Sequence, residues 1–199
     1  DAGEPWFKDG GRGFDLYRFF VEASNMVNVS RVVVGSYRVG FGRGLLFGQQ
    51  LYGDRLSQVL NRNSSSYGVS GYGGVSEQPT LFGGVAKLEF NRFSVTPFYS
   101  YTVLDADTTG GVWHSFLESG YHRTRTEIER RATLGLHTMG ANMSYNQRYY
   151  NVGLNAYGGL FTLPAVLGGG DWSANDFEGD RLWGISLDYA FHKKIKGEK

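Results

Sequence analysis

Along residues 92–104 every second position is apolar: Phe93, Val95, Pro97, Tyr99, Tyr101 and Val103 take one parity, and Arg92, Ser94, Thr96, Ser100 and Thr102 take the other. A period of two marks a strand with two unlike faces. The alternation returns over 181–192, with Trp183, Ile185, Leu187, Tyr189 and Phe191 against Gly184, Ser186, Asp188 and His192. Over 138–146, Met139, Ala141, Met143 and Tyr145 oppose Thr138, Gly140, Asn142, Ser144 and Asn146. It is weaker over 149–161, where Tyr150, Val152, Leu154, Ala156 and Leu160 form the apolar set. Three further segments complete the pattern: Phe82 to Phe90 against Gly83, Lys87 and Glu89; Val33, Gly35, Tyr37, Val39 and Phe41 against Ser36, Arg38, Gly40 and Gly42; and Tyr17, Phe19, Val21 and Ala23 against Arg18 and Glu22.

These segments, about seven in number, run about 9 to 13 residues. Strands of soluble proteins average about 5 or 6 residues, whereas about 9 to 11 cross a bilayer. The second parity is rich in Gly, Ser, Thr and Asn, and it carries Arg18, Glu22, Arg38, Lys87, Glu89 and Asp188. That composition suits a wet lumen better than a dry sandwich interior. The expected fold is therefore all-β, an antiparallel up-and-down transmembrane β-barrel or part of a larger one, with long external loops and one short loop helix.

Connection lengths provide a separate test. Tight turns are expected at Asn91 and at Asn146-Gln147-Arg148, and long links over 44–79, 105–131 and 162–180. Residues 112–119 alternate poorly and read as loop, so short and long connections alternate, as they do between the two sides of an outer membrane. The resulting odd strand count predicts a single barrel segment over 1–199 that is incomplete, with residues 193–199 leading into a further strand. The competing count of eight includes 112–119 as a strand, and it would put the two tight turns on opposite membrane faces. The opening at Asp1 rather than Met reads as a processed or excised chain.

Composition narrows the field. Of 199 residues, 30 are Gly and 31 aromatic, against 4 Pro and no Cys. Glycine at about twice its usual share disfavours long helical cores, and the aromatic content disfavours a disordered linker. The absence of Cys excludes disulfides, thiolate zinc sites and a Cys nucleophile. The 20 basic and 19 acidic residues nearly cancel, so no global basic field points to nucleic acid. No stretch approaches the roughly 18 apolar residues of a membrane helix.

Candidate chemistry concentrates in the 105–131 insert, an external loop. Its run Ser119-Gly120-Tyr121-His122-Arg123-Thr124-Arg125-Thr126-Glu127-Ile128-Glu129-Arg130-Arg131 is the most highly charged of the chain. Thr124 followed by Glu127 matches a capping box and predicts a short helix. His122, Arg123, Arg125, Glu127, Arg130 and Arg131 form a candidate interaction loop. It would bind phosphate of lipopolysaccharide or nucleic acid, plug the barrel, or simply pair its own charges on the surface. Elsewhere the signals are weak. His114, His122, His137 and His192 lack zinc spacing, and the glycine run from Gly40 to Gly44 lacks the ending of a phosphate loop. The loop carboxylates Asp105, Asp107, Asp171, Asp176 and Asp180 show no defined calcium pattern. No cofactor or metal is expected. A lipid hydrolase would need Ser, His and an acid or amide together, and His137 has opposite parity to Ser144.

Three patches carry a resemblance to the barrel region of large Gram-negative outer-membrane proteins that contain helix-hairpin-helix segments. They are Gly35-Ser36-Tyr37-Arg38-Val39-Gly40-Phe41-Gly42-Arg43-Gly44-Leu45, then Phe98-Tyr99-Ser100 with Leu104-Asp105-Ala106, then Ser119 to Thr124 with Glu127. Ser36 departs from the acidic residue expected there. No helix-hairpin-helix segment is present, so a nucleic-acid partner finds no support. The resemblance implies an outer-membrane location, a barrel larger than this stretch and no transferable enzymatic activity. The function expected is that of a non-catalytic barrel acting as pore, scaffold or loop-based binding component. Its partners would be outer-membrane lipid, lipopolysaccharide and other outer-membrane or periplasmic proteins. The alternatives are a soluble all-β binding domain and an outer-membrane lipid hydrolase.

Overall fold

The structure, a computed structural model, describes residues 18–42, 44–47, 68–74, 80–117, 124–166 and 177–191. Among these residues ten strands, one α-helix and a 3-10 turn (Thr109–Gly111) follow in order: β1 (Phe20–Met26), β2 (Val29–Gly40), β3 (Gly68–Gly71), β4 (Leu81–Phe90), β5 (Phe93–Leu104), β6 (Ala106–Asp107), the 3-10 turn, β7 (Ser115–Phe116), α1 (Arg125–Glu129), β8 (Leu134–Asn146), β9 (Tyr150–Val166) and β10 (Glu178–Phe191). Seven of them form one antiparallel meander, β1-β2-β4-β5-β8-β9-β10, and β3 pairs with the end of β2. The all-β antiparallel expectation holds. Barrel closure is not found, since β1 and β10 are not paired with each other among the described residues.

Short and long connections alternate. Val27 and Asn28 turn β1 into β2, Asn91 and Arg92 turn β4 into β5, and residues 147–149 join β8 to β9. Asn28 and Asn91 have φ of 62° and 56°, a left-handed conformation that Asn tolerates better than most residues. These three turns lie at one end of the sheet, and the strand ends that the longer links 41–80, 105–133 and 167–177 connect lie at the other. Of the stretch 112–119, residues 112–117 are described, and within them the one strand is β7, which pairs with β6.

Two boundaries move. The link expected over 162–180 shrinks because β9 continues through Pro164 to Val166. Trp113 supports that extension, donating its N–H to Pro164 O at 2.9 Å and accepting from the Val166 N–H at 3.0 Å.

On β5 and β10 the two faces are inverted relative to an ordinary soluble sheet. On β5, Ser94, Thr96 and Ser100 are buried, while Phe93, Tyr99, Tyr101 and Val103 are exposed. On β10, Ser186 is buried while Trp183, Ile185, Leu187, Tyr189 and Phe191 are 63–77% exposed. Register lines these residues into rows across the sheet. Thr96, Asn142, Asn155 and Ser186 form one inner row, and Ser94, Ser144, Gly153 and Asp188 another.

Candidate functional site

The outer face is an apolar band with aromatic borders. Phe93 and Tyr145 stack at 4.6 Å near the turn end, with Tyr150 at 6.1 Å from Tyr145 and the Tyr189–Phe191 pair beside them on β10. Toward the loop end lie Tyr99, Tyr101, Phe82 and Trp183, all exposed. Between the borders Val95, Leu154, Met143 and Leu187 meet across successive strands. Eight residue steps separate Trp183 from Phe191. At about 3.4 Å per step that is about 27 Å along the strand.

The inner face is polar where side chains meet across β8, β9 and β10. Asn142 Nδ2 donates to Asn155 Oδ1 at 2.7 Å, and Asn155 Nδ2 donates to Ser186 Oγ at 3.1 Å and Asp188 Oδ2 at 3.0 Å. Ser94 and Ser144 share a hydrogen bond of 2.6 Å, and Ser100 Oγ accepts from the Phe82 N–H at 2.9 Å. Lateral bonding between strands is what allows small polar groups to be buried.

The middle of that face is closed to solvent where a wet lumen was expected, while Lys87 and Glu89 nearer the turn end stay partly exposed. Thr96 is 1% exposed and Ser100 0%. The filling comes from residues 41, 42 and 44–47, which follow β2 and turn inward. Phe47 lies 5.0 Å from Phe98 and 5.1 Å from Tyr157, and Phe41 lies 6.3 Å from Phe98. Gly42 permits this path: its φ is +55°, and a Cβ there would come within 2.4 Å of the Asp188 carboxylate. Val33, Tyr37, Val39 and Phe41 are buried in the same cluster with Val69, Val85 and Phe98. This corrects the outward, lipid-facing assignment of the apolar parity of β2. Those side chains point inward because the in-turned segment gives them an apolar partner.

The expected lumen residues divide. Glu22 pairs in register with inward Val33, and Lys87 and Glu89 lie on the Val85 side of β4, so these three share the inner face with Asp188. Glu22 meets Arg31 at 3.2 Å, and Lys87 meets Glu89 at 2.6 Å. Arg38 lies on the opposite side of β2 from Tyr37 and Val39, its guanidinium carbon 3.5 Å from the Tyr72 ring centroid, with that of Arg18 at 5.1 Å. The separation follows from strand alternation, since Arg38 sits between two buried neighbours. Sequence reasoning missed Arg31, which also donates to Val69 O at 2.7 Å. Nothing in its Val-rich surroundings announces that partner.

In the charged insert, His122 and Arg123 lie outside the described residues. So do residues 48–67, Asp171, Asp176, His192 and the tail 193–199. The helix forms where the capping box places it: Glu127 N–H donates to Thr124 Oγ1 at 3.3 Å, and Thr124 N–H to Glu127 Oε2 at 2.8 Å. Arg125 bonds Glu129 at 2.9 Å, and Arg130 bonds Asp107. Thr109 donates its hydroxyl to Asp107 at 2.7 Å and its N–H at 3.3 Å. The Thr109 hydroxyl, then its amide and the nearby Arg130 and His114 charges, hold the Asp107 carboxyl below its ordinary range against a smaller desolvation effect. Arg131 is partly buried beside them.

The insert covers the loop end of the sheet through Trp113 rather than through its helix. Trp113 is 2% exposed among Ala106, Leu134, Phe161 and Ala165, with Phe116 at 4.5 Å. Its buried indole N–H has no hydrogen-bond partner among the described residues.

Among the described residues the Ser and His considered for a lipid hydrolase are not brought together. His137 bonds Tyr99 Oη through Nδ1 at 2.8 Å on the outer face, while Ser144 is occupied with Ser94 on the inner one. Among the described residues no three His, Asp or Glu side chains are placed to hold a metal ion. No described helix is long and apolar enough to cross a membrane, which bears on helical spans alone. Comparison with family models, curated proteins and solved structures gave no match.

Proposed function

We propose that this chain is a wall segment of a β-barrel in the outer membrane of a Gram-negative bacterium. It has no catalytic activity and acts as a scaffold whose loop end binds other envelope components. The observation that carries the reading is the inversion of its faces. Five adjacent outward side chains on β10 alone are more than 60% exposed. Burying a large apolar side chain contributes about 1.5–3 kcal/mol, so the five together represent about 10 kcal/mol. That rivals the whole stability of a typical domain. Lipid supplies the missing cover, and the aromatic borders fit its two interfaces.

Among the uses of such a wall, scaffold fits better than pore. Residues 41, 42 and 44–47 pack onto the inner face and Trp113 packs into the cluster at its loop end, which supports a filled wall over a water-lined one. The Arg-rich insert beside that end offers charge-assisted contacts to lipopolysaccharide phosphate or to acidic groups of a partner protein. The test is refolding with and without detergent. The expected chain folds only in micelles or bilayers and migrates faster on a gel unheated than boiled. A folded monomer in detergent-free buffer would instead establish a soluble all-β domain.

A further inference from the structure

We propose that the free edge of β10 is a seam for one more strand, antiparallel to β10, that directs a Lys or Arg inward against Asp188. The proposal rests on the barrel reading. β10 pairs with β9 from Glu178 to Phe191, and among the described residues its other edge pairs with nothing. That edge is 14 residues long and contains no Pro; its register shifts once, between Gly179 and Arg181, and runs regularly for the 11 residues from Arg181 to Phe191. Exposed edges in finished proteins are commonly kept short, as the 7-residue β1 is, or are broken by Pro and bulges.

At this edge lies a cavity of about 390 Å³, lined by Phe41 and Leu45 of the in-turned segment and by Asn155, Ser186 and Asp188 of the inner face. The Asp188 carboxylate accepts from Asn155 Nδ2, the same nitrogen that serves Ser186. A carboxylate in a lipid-surrounded wall with one shared neutral donor is poorly compensated, and a cation from a neighbouring strand corrects this.

Direction identifies the occupant further. β1 and β10 are the first and seventh strands of an alternating meander, so both run from the loop end to the turn end. Direct closure of β1 on β10 would be parallel. A second copy inserted in the same orientation would also present only parallel edges to these two strands. Antiparallel pairing at the seam therefore requires a different strand, running from turn end to loop end. It would carry alternating apolar and small residues to continue the two faces.

The chain refolded in micelles would be mixed with synthetic peptides of alternating Val and Ser about 11 residues long, with Lys or Gln at the central inward position. Amide hydrogen exchange reads the result. The Lys peptide should slow exchange at the β10 edge at least tenfold and leave β1 unchanged, with the Gln peptide binding at least tenfold more weakly. In Asp188→Asn the two peptides should bind alike. Should that variant fail to fold, the Lys-to-Gln ratio in the unsubstituted chain decides. Equal binding of both peptides to the unsubstituted chain, no protection of β10, or a ready disulfide between Val21→Cys and Leu187→Cys would overturn the seam. Folding without detergent would overturn the barrel reading itself, whatever the peptides do.

Discussion

The flank built from β2 and β4 and the flank built from β8, β9 and β10 solve the same problem with opposite chemistry. In the first, the inner face is apolar: Val33, Tyr37, Val39 and Val85 close on Phe41 and Phe47. In the second it is polar, a hydrogen-bonded row from Asn142 through Asn155 to Ser186 and Asp188. Both flanks turn apolar side chains outward as well, Val34 and Phe82 on one, Leu154 and Ile185 on the other. An interior can thus be dry either because an inserted segment fills it or because small polar groups satisfy one another. The difference decides what each flank tolerates.

The largest expected effect is on the filled flank. Tyr37 is 0% exposed and donates its hydroxyl to Tyr99 O at 2.8 Å. Tyr37→Ala should cost about 3–5 kcal/mol in detergent-phase urea unfolding. Tyr189→Ala, on the outer face, opens no packed cavity and should cost only its lost lipid contact, about 1.5 kcal/mol; equal losses would erase the distinction between faces. On the polar flank, Asn155→Leu leaves Asn142, Ser186 and Asp188 without their shared partner. A loss of about 3 kcal/mol is expected in the same unfolding measurement.

Neighbouring positions on β5 sharpen the comparison at a smaller scale. Thr96→Leu forces a larger side chain into the packed inner row and should lower stability by about 1–3 kcal/mol. Val95→Leu points outward and should change it by less than about 0.5 kcal/mol. Melting both variants in the same micelles checks the pair. The smallest effect belongs to the insert. Because the folded Asp107 carboxyl lies below its ordinary value, its contribution is complete above the ordinary carboxylate range and disappears as pH falls through the folded value. Hydrogen exchange across 106–116 should quicken in that acid window, and Asp107→Asn should flatten the response.

Much of this architecture was legible in the sequence, because its main devices are local. Alternation located the long strands, Asn91 marked a turn, and Thr124 with Glu127 specified the capping box that starts α1. What alternation does not encode is which way a face points. The apolar set of β2 looked like that of β5, and only the return of Phe47 to Phe98 and Tyr157 turns it inward. That contact joins segments more than 50 residues apart in sequence. The extension of β9 past Pro164 was hidden for the same reason, since it depends on backbone bonds from Trp113. The candidate site was less legible than the fold: Asp188 gains its meaning from the cavity and from Asn155, neither of which has a local signature.

The claim on which the account depends is that the exposed apolar face meets lipid. Because the chain contains no Cys, single Cys substitutions along residues 183–191 can each be spin-labelled after reconstitution into bilayers. Collisions with oxygen, which concentrates in lipid, and with a water-soluble nickel chelate then report the surroundings. The account predicts that labels at 183, 185, 187, 189 and 191 meet oxygen, while those at 184, 186, 188 and 190 are shielded from it. Preferential access of the nickel chelate to the odd positions, with oxygen access flat along the strand, would contradict it.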